Sequence, residues 1–110
     1  MIDFTMNQKN IFTDLPPLEQ GEFFETLLKN KTITIERIIS FGKLSEETNW
    51  YDQENNEWVI ILKGQAKLSF EHQPTICLNE GDYINIPARL KHKVSWIDPT
   101  VQTIWLAIHY

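Results

Sequence analysis

From Thr32 to its end, this 110-residue chain consists of strand-length runs, each cut short by turn residues. The runs cover residues 32–40, 50–52, 57–62, 65–71, 75–78, 83–86, 92–97 and 103–109. The first is rich in β-branched residues and alternates over most of its length, which suits a pleated, half-buried surface. Between the runs lie Gln53-Glu54-Asn55-Asn56, Lys63-Gly64, Gln73-Pro74, Asn79-Glu80-Gly81, residues 87–91 and Asp98-Pro99. Each of these is turn chemistry: Gly supplies positive φ, Pro presets its own φ, and Asn and Asp bond their own backbone. Short strands at intervals of roughly 8–12 residues are the mark of an all-β sandwich or barrel. One open sheet of so many strands would leave apolar faces in water, so the chain has to close on itself or pack two sheets together.

The N-terminal segment reads differently. Residues 1–18 are polar and run into Pro16-Pro17, which predicts an extended arm. In residues 18–28, Phe23, Phe24, Leu27 and Leu28 fall at helical spacing, with Glu19, Glu22 and Glu25 toward the other side. This pattern predicts a short amphipathic helix, ended by Asn30 and Lys31. The expected organisation is an arm and helix over residues 1–30, then a β-barrel over residues 31–110, together forming one globular domain.

Composition excludes several function classes. Ten basic against fifteen acidic residues give a net charge of −5. With no Lys/Arg cluster in the chain, a nucleic-acid partner is not expected. The longest unbroken apolar stretch, residues 58–62, is far too short to cross a bilayer. The start lacks a basic cap and a long apolar run, and the lone Cys77 has no disulfide partner within the chain. A cytoplasmic protein is the expectation. No G-x-S-x-G nucleophile motif and no phosphate-cradling glycine loop occurs in the sequence.

Two phrases in the middle of the chain carry the chemistry. Glu57-Trp58-Val59-Ile60-Ile61-Leu62-Lys63-Gly64 opens an apolar strand with a carboxylate and stops it at glycine. Gly81-Asp82-Tyr83-Ile84-Asn85-Ile86-Pro87 is followed five residues later by His92. Over residues 36–109 the chain resembles the cupin family, whose motifs are G-x5-H-x-H-x3/4-E-x6-G and G-x5-P-x-G-x2-H-x3-N. Glu57 and Gly64 match the end of the first motif; Gly81, Pro87 and His92 match the second. The departures fall on the ligands. The two histidine positions of the first motif hold Trp50 and Asp52 with the longer gap, or Tyr51 and Gln53 with the shorter one. In the second motif Arg89 stands at the glycine and Trp96 at the asparagine. The resemblance implies a jelly-roll β-barrel whose lumen holds a small molecule, often beside a divalent metal.

For such a metal, Asp52, Glu57 and His92 form the candidate ligand set, with Gln53 and His109 in reserve. Carboxylate and imidazole donors suit Fe, Mn or Zn. Without a metal, Glu57 is the candidate catalytic base. Trp50, Tyr51, Trp96 and Arg89 are the candidate pocket residues. Trp96 shares period-two alternation with His92 and Val94, and two indoles near one cavity would favour a flat or apolar ligand. His72 reads as a hairpin-turn residue and Cys77 as a buried, inert thiol. Two functions are expected: a cupin that binds or converts a small organic molecule with a metal, or a metal-free sensor or carrier module. The expected partners are a small-molecule ligand and, in a homodimer, a second copy, with Phe4 and Phe12 on an exposed arm available for strand addition.

Overall fold

The structure, a computed structural model, describes residues 4–17, 20–42 and 50–110. Its elements are all strands: β1 (Gly21–Lys29), β2 (Thr34–Phe41), β3 (Glu57–Lys63), β4 (Ala66–Phe70), β5 (Gln73–Leu78), β6 (Tyr83–Ile86), β7 (His92–Ile97) and β8 (Thr103–His109). They form a five-stranded sheet, β1-β2-β8-β3-β6, facing a three-stranded sheet, β5-β4-β7. All the pairings are antiparallel. This is the all-β sandwich expected from the turn spacing, in the jelly-roll form that the cupin resemblance implies. No helix long and apolar enough to cross a membrane occurs among the described residues.

Period-two alternation sorts side chains between the inside of the sandwich and its outer surface. Val59, Ile61, Trp105 and Ala107 of the large sheet meet Ala66, Leu68, Phe70 and Ile97 of the small one, and this cluster is the core. Gly64 turns the chain out of β3 at φ +91, where a Cβ would stand 2.6 Å from Thr103 Oγ1 and 3.0 Å from Thr103 Cα. Glycine is required there twice over, by the backbone angle and by the close approach.

The segment expected to be a helix is not one. Gly21–Lys29 is strand β1, paired from Gly21↔Phe41 to Lys29↔Thr34, while Leu18 and Glu19 lie outside the described residues. The apolar pairs Phe23-Phe24 and Leu27-Leu28 fit a helical stripe, yet here β2 supplies a ladder of backbone partners, and tertiary pairing outweighs a weak local preference. A bulge between Thr26 and Leu28 accounts for the second pair by putting an extra residue into the strand. β1 is therefore part of the sheet rather than an appendage packed on the barrel.

The arm is held against the outer face of this sheet mainly by Arg37, and Gln102 Nε2 adds a bond to the Pro16 carbonyl at 3.4 Å. Arg37 is buried; it donates from Nε and Nη2 to Glu25 Oε2 at 2.9 and 2.6 Å. It also donates from Nη1 to the carbonyls of Ile11 and Thr13 at 3.1 and 2.7 Å, and from Nη2 to that of Asp14 at 3.2 Å. The planar guanidinium thus ties three strand-free residues to β1 and β2.

Three smaller expectations also change. Residues 50–52 are not a strand; Tyr51 makes a single bridge with His92. The β4–β5 hairpin turns at Glu71 and His72, where His72 has φ 61, so Gln73 and Pro74 already belong to β5. Cys77 is exposed, not buried, because the edge strand β5 carries few inward side chains.

Candidate functional site

The jelly roll encloses a cavity of about 210 Å³ between its sheets. Glu22 and Phe24 of β1, Glu36, Ile38 and Ser40 of β2, and Glu57 and Val59 of β3 line one side, with Trp105 and His109 of β8 beside them. Leu68, His92 and Val94 of the small sheet close the other, and Tyr51 and Gln53 enter from the loop before β3. Each β2 residue named occupies an even position, as a strand with one face inward requires.

The two matched motif residues meet here. Glu57 is 8% and His92 5% exposed, and His92 Nε2 stands 3.3 Å from Glu57 Oε1. His92 Nδ1–H donates to the Leu90 carbonyl at 3.0 Å, which leaves Nε2 as the nitrogen that gains and loses the proton. Gln53 Nε2 donates to Glu57 Oε1 at 2.9 Å and lies 3.3 Å from His92 Nε2. With a neutral imidazole, Gln53 can donate to Nε2; with a charged one, Nε2–H turns to Glu57. Burial by itself would raise the Glu57 pKa, but the hydrogen bonds from His92 and Gln53 and the nearby His109 and His92 charges hold it below the ordinary carboxylate value. Burial would likewise depress His92, yet its bonds to Glu57 and the Leu90 carbonyl, and the charge on Glu57, raise it above an ordinary imidazole.

A second acid–imidazole pair lies alongside. His109 Nε2–H donates to Glu36 Oε1 at 2.6 Å, and His109 sits opposite Glu57 in the β3–β8 register. Trp105 Nε1–H donates to Ser40 Oγ at 3.2 Å, which satisfies the indole and leaves its ring to the cavity. At the open side Glu22 has its pKa raised, by burial first and then by the charge on Glu57. Tyr51 is raised by burial, then by Glu22 and Glu57.

Of the two readings left open before β3, Tyr51 and Gln53 face the lumen. Asp52 does not join Glu57 and His92: it is exposed and accepts from Arg89 Nη1 at 3.2 Å, an ion pair on the rim. Arg89 takes φ 70 and its N–H bonds the Gln53 carbonyl at 2.8 Å, so it shapes the rim without lining the cavity. Trp50 lies outside, under Lys93 Nζ at 4.6 Å from its ring. Trp96 is also outside, under Lys67 Nζ at 5.6 Å. The reason is a register shift: Leu68 pairs with Val94 but Lys67 with Trp96, so one residue of β7 is extra and the alternation set by His92 and Val94 is lost before Trp96. His109, held in reserve by the sequence, does line the cavity.

Sequence reasoning missed Glu22 and Glu36. Glu36 had a visible signal, a lone carboxylate within a β-branched strand. Glu22 was hidden by the helical reading, which turned it toward solvent.

These residues do not fit a divalent metal. Among the described residues no group of three His, Cys, Asp or Glu side chains is placed to hold an ion. The Glu57–His92 pair has as its third member a neutral amide that points its nitrogen, a donor, at both. A metal would need an acceptor oxygen there and a further anionic or imidazole ligand.

A jelly roll with a polar cluster sunk in an apolar lumen defines a β-sandwich with an internal cavity, and the comparisons place it more narrowly. The family model described as a cupin domain matches residues 40–109, and the chain belongs to the cupin family. A solved structure from Ralstonia eutropha JMP134, a protein provisionally named a mannose-6-phosphate isomerase, is 37% identical, with a TM-score of 0.87 over 94% of this chain and 97% of that one. A cupin superfamily protein from Desulfitobacterium hafniense DCB-2 is 19% identical, with a TM-score of 0.71 over 86% of this chain and 82% of that one. A structure of Fe(II)-HppE, 12% identical at a TM-score of 0.69, aligns with 82% of this chain and 50% of its own. The last two show the fold alone. No curated protein matches the chain.

Proposed function

We propose that this cupin binds a small organic molecule in the cavity between its sheets, and that it does so without a metal, Glu57 and His92 acting as the proton-handling pair. One observation carries the reading: the two residues are more than nine-tenths buried yet form part of the cavity wall, oriented by Gln53 and the Leu90 carbonyl. Buried polar groups in an otherwise apolar lumen fix a ligand's orientation. A ligand proton would go to His92 Nε2, whose basicity is raised by Glu57, and the ionised Glu57 stabilises the imidazolium that can return it. General acid–base catalysis of this kind contributes about 10²–10⁴-fold. Cytoplasmic location belongs to the same proposal, and the exposed thiol of Cys77 suits a reducing compartment.

Neither metal chemistry nor isomerase chemistry is carried over from the relatives. The iron in the name of Fe(II)-HppE belongs to a protein that shares only the fold. The sugar phosphate in the name of the Ralstonia protein would need a cation for its phosphate, and no Lys or Arg lines this cavity among the described residues.

The test is a metabolite screen read by tryptophan fluorescence, since Trp105 lines the cavity, run with and without chelator. Binding unaffected by chelator supports the proposal. About one equivalent of metal in protein purified without chelator, lost in Glu57→Ala and His92→Ala, would overturn it.

A second copy of this chain is the protein partner we propose. Among the described residues β1 is an edge strand, and its Phe23, Phe24, Leu27 and Leu28 are 40–54% exposed, a surface suited to isologous strand pairing. Light scattering should give twice the monomer mass; a monomer at micromolar concentration would refute this.

A further inference from the structure

The charges of the cavity narrow what it can hold. Three carboxylates, Glu22, Glu36 and Glu57, line it against two imidazoles and, among the described residues, no Lys or Arg. Both imidazoles are already engaged, His92 with Glu57 at 3.3 Å and His109 with Glu36 at 2.6 Å. With all three carboxylates ionised the lumen carries more negative than positive charge, and the two imidazoles do not offset it. No cation among the described residues pairs with Glu22, whose surroundings of buried wall and Glu57 disfavour its charged form. An anionic ligand would add a further negative charge to a partly buried space, where repulsion is screened less than in bulk water. A cation would relieve the existing one.

The remaining wall selects the body of the ligand. Phe24, Tyr51 and Trp105 present aromatic surface to the same space, and aromatic faces attract a desolvated cation. At about 210 Å³ the cavity exceeds the roughly 150 Å³ apolar cavities that admit benzene, so one ring with a short substituent fits.

Building on the lumen reading above, we propose that the ligand is a small organic cation, a protonated amine on an apolar or aromatic body. Its ammonium faces Glu22 and Glu57, and its body lies against Phe24 and Trp105.

The experiment is calorimetric titration of the whole chain, with chelator present, using three probes of one size: benzylamine, benzyl alcohol and benzoate. Wild type is expected to bind benzylamine at least 10-fold more tightly than benzyl alcohol and to show no binding of benzoate. Glu22→Gln is expected to weaken benzylamine at least 5-fold and to leave benzyl alcohol within 2-fold. Because Glu22 lies at the open side, this isosteric change tests charge without removing a core contact, and circular dichroism confirms the fold. Benzoate binding as tight as benzylamine overturns the cation proposal, as does an unchanged preference in Glu22→Gln; both leave the lumen reading standing. Failure of all three probes overturns the cation proposal and the lumen reading together.

Discussion

Replacing Glu57 with Gln removes one charge from the buried pair and keeps its shape, and its effect on stability must depend on pH. The wild-type signs come first. His92 has its pKa raised on folding, so its contribution is complete below the ordinary 6.5 and is lost as pH rises through the folded value. Glu57 has its pKa lowered, so its contribution is present above the ordinary 4.5 and is lost as pH falls through the folded value. Both act fully between about pH 4.5 and 6.5. In Glu57→Gln the imidazole is buried beside two amides, and an unpaired buried imidazolium would cost about 3–5 kcal/mol. His92 escapes that cost by staying neutral. At pH 5.5 an imidazole in the unfolded chain is about ten-to-one protonated, so folding with it neutral costs about 1.4 kcal/mol. At pH 8 the same restraint costs almost nothing. The loss of the wild-type pair at pH 5.5 adds to this figure, so about 1.4 kcal/mol is a floor for the difference between the two conditions. For a domain of this size it corresponds to roughly 6 °C in Tm. Thermal melts by circular dichroism should therefore show Glu57→Gln losing at least about 6 °C more at pH 5.5 than at pH 8. NMR titration should place His92 above 6.5 in the wild type and below it in the variant. Equal losses at the two pH values, or an imidazole that titrates unchanged, would refute the pairing.

Two further outcomes follow from the fold. Arg37→Ala strands the Glu25 carboxylate and releases three carbonyls of the arm. It should cost about 1–3 kcal/mol in urea denaturation and open the arm near residues 11–14 to protease, whereas a loss below about 0.5 kcal/mol would mean that the guanidinium does not anchor the arm. Gly64→Ala forces a Cβ against Thr103 at a positive φ and should lower stability by about 2 kcal/mol or more; a neutral result would show that the turn and β8 can move apart.

Much of the fold was legible because its signals are local. Gly64, Gly81 and Pro87 mark turns through their own backbone limits, and the runs between them had strand length. The match of the Glu57-to-Gly64 and Gly81-to-His92 spacings to the cupin motifs is what implied that the acid and the imidazole share a site. The inward direction of Gln53 rather than Asp52 was not legible. It depends on the Tyr51–His92 bridge and on the Arg89–Asp52 pair at the rim, contacts between residues far apart in the sequence.

By itself the sequence determined the class of fold and most of the places where strands stop, and its likeness to the cupin motifs implied the meeting of Glu57 with His92. The first two follow from backbone preferences and short counts. The tertiary structure alone decided that residues 21–29 are a strand, because only β2 could offer that segment a ladder. It alone turned Trp96 out of the lumen, because one extra residue in β7 reverses a face. It also brought Glu22 and Glu36 to the cavity wall beside Glu57 and His109, where the charge of an enclosed space is a sum over strands that no single stretch of sequence contains.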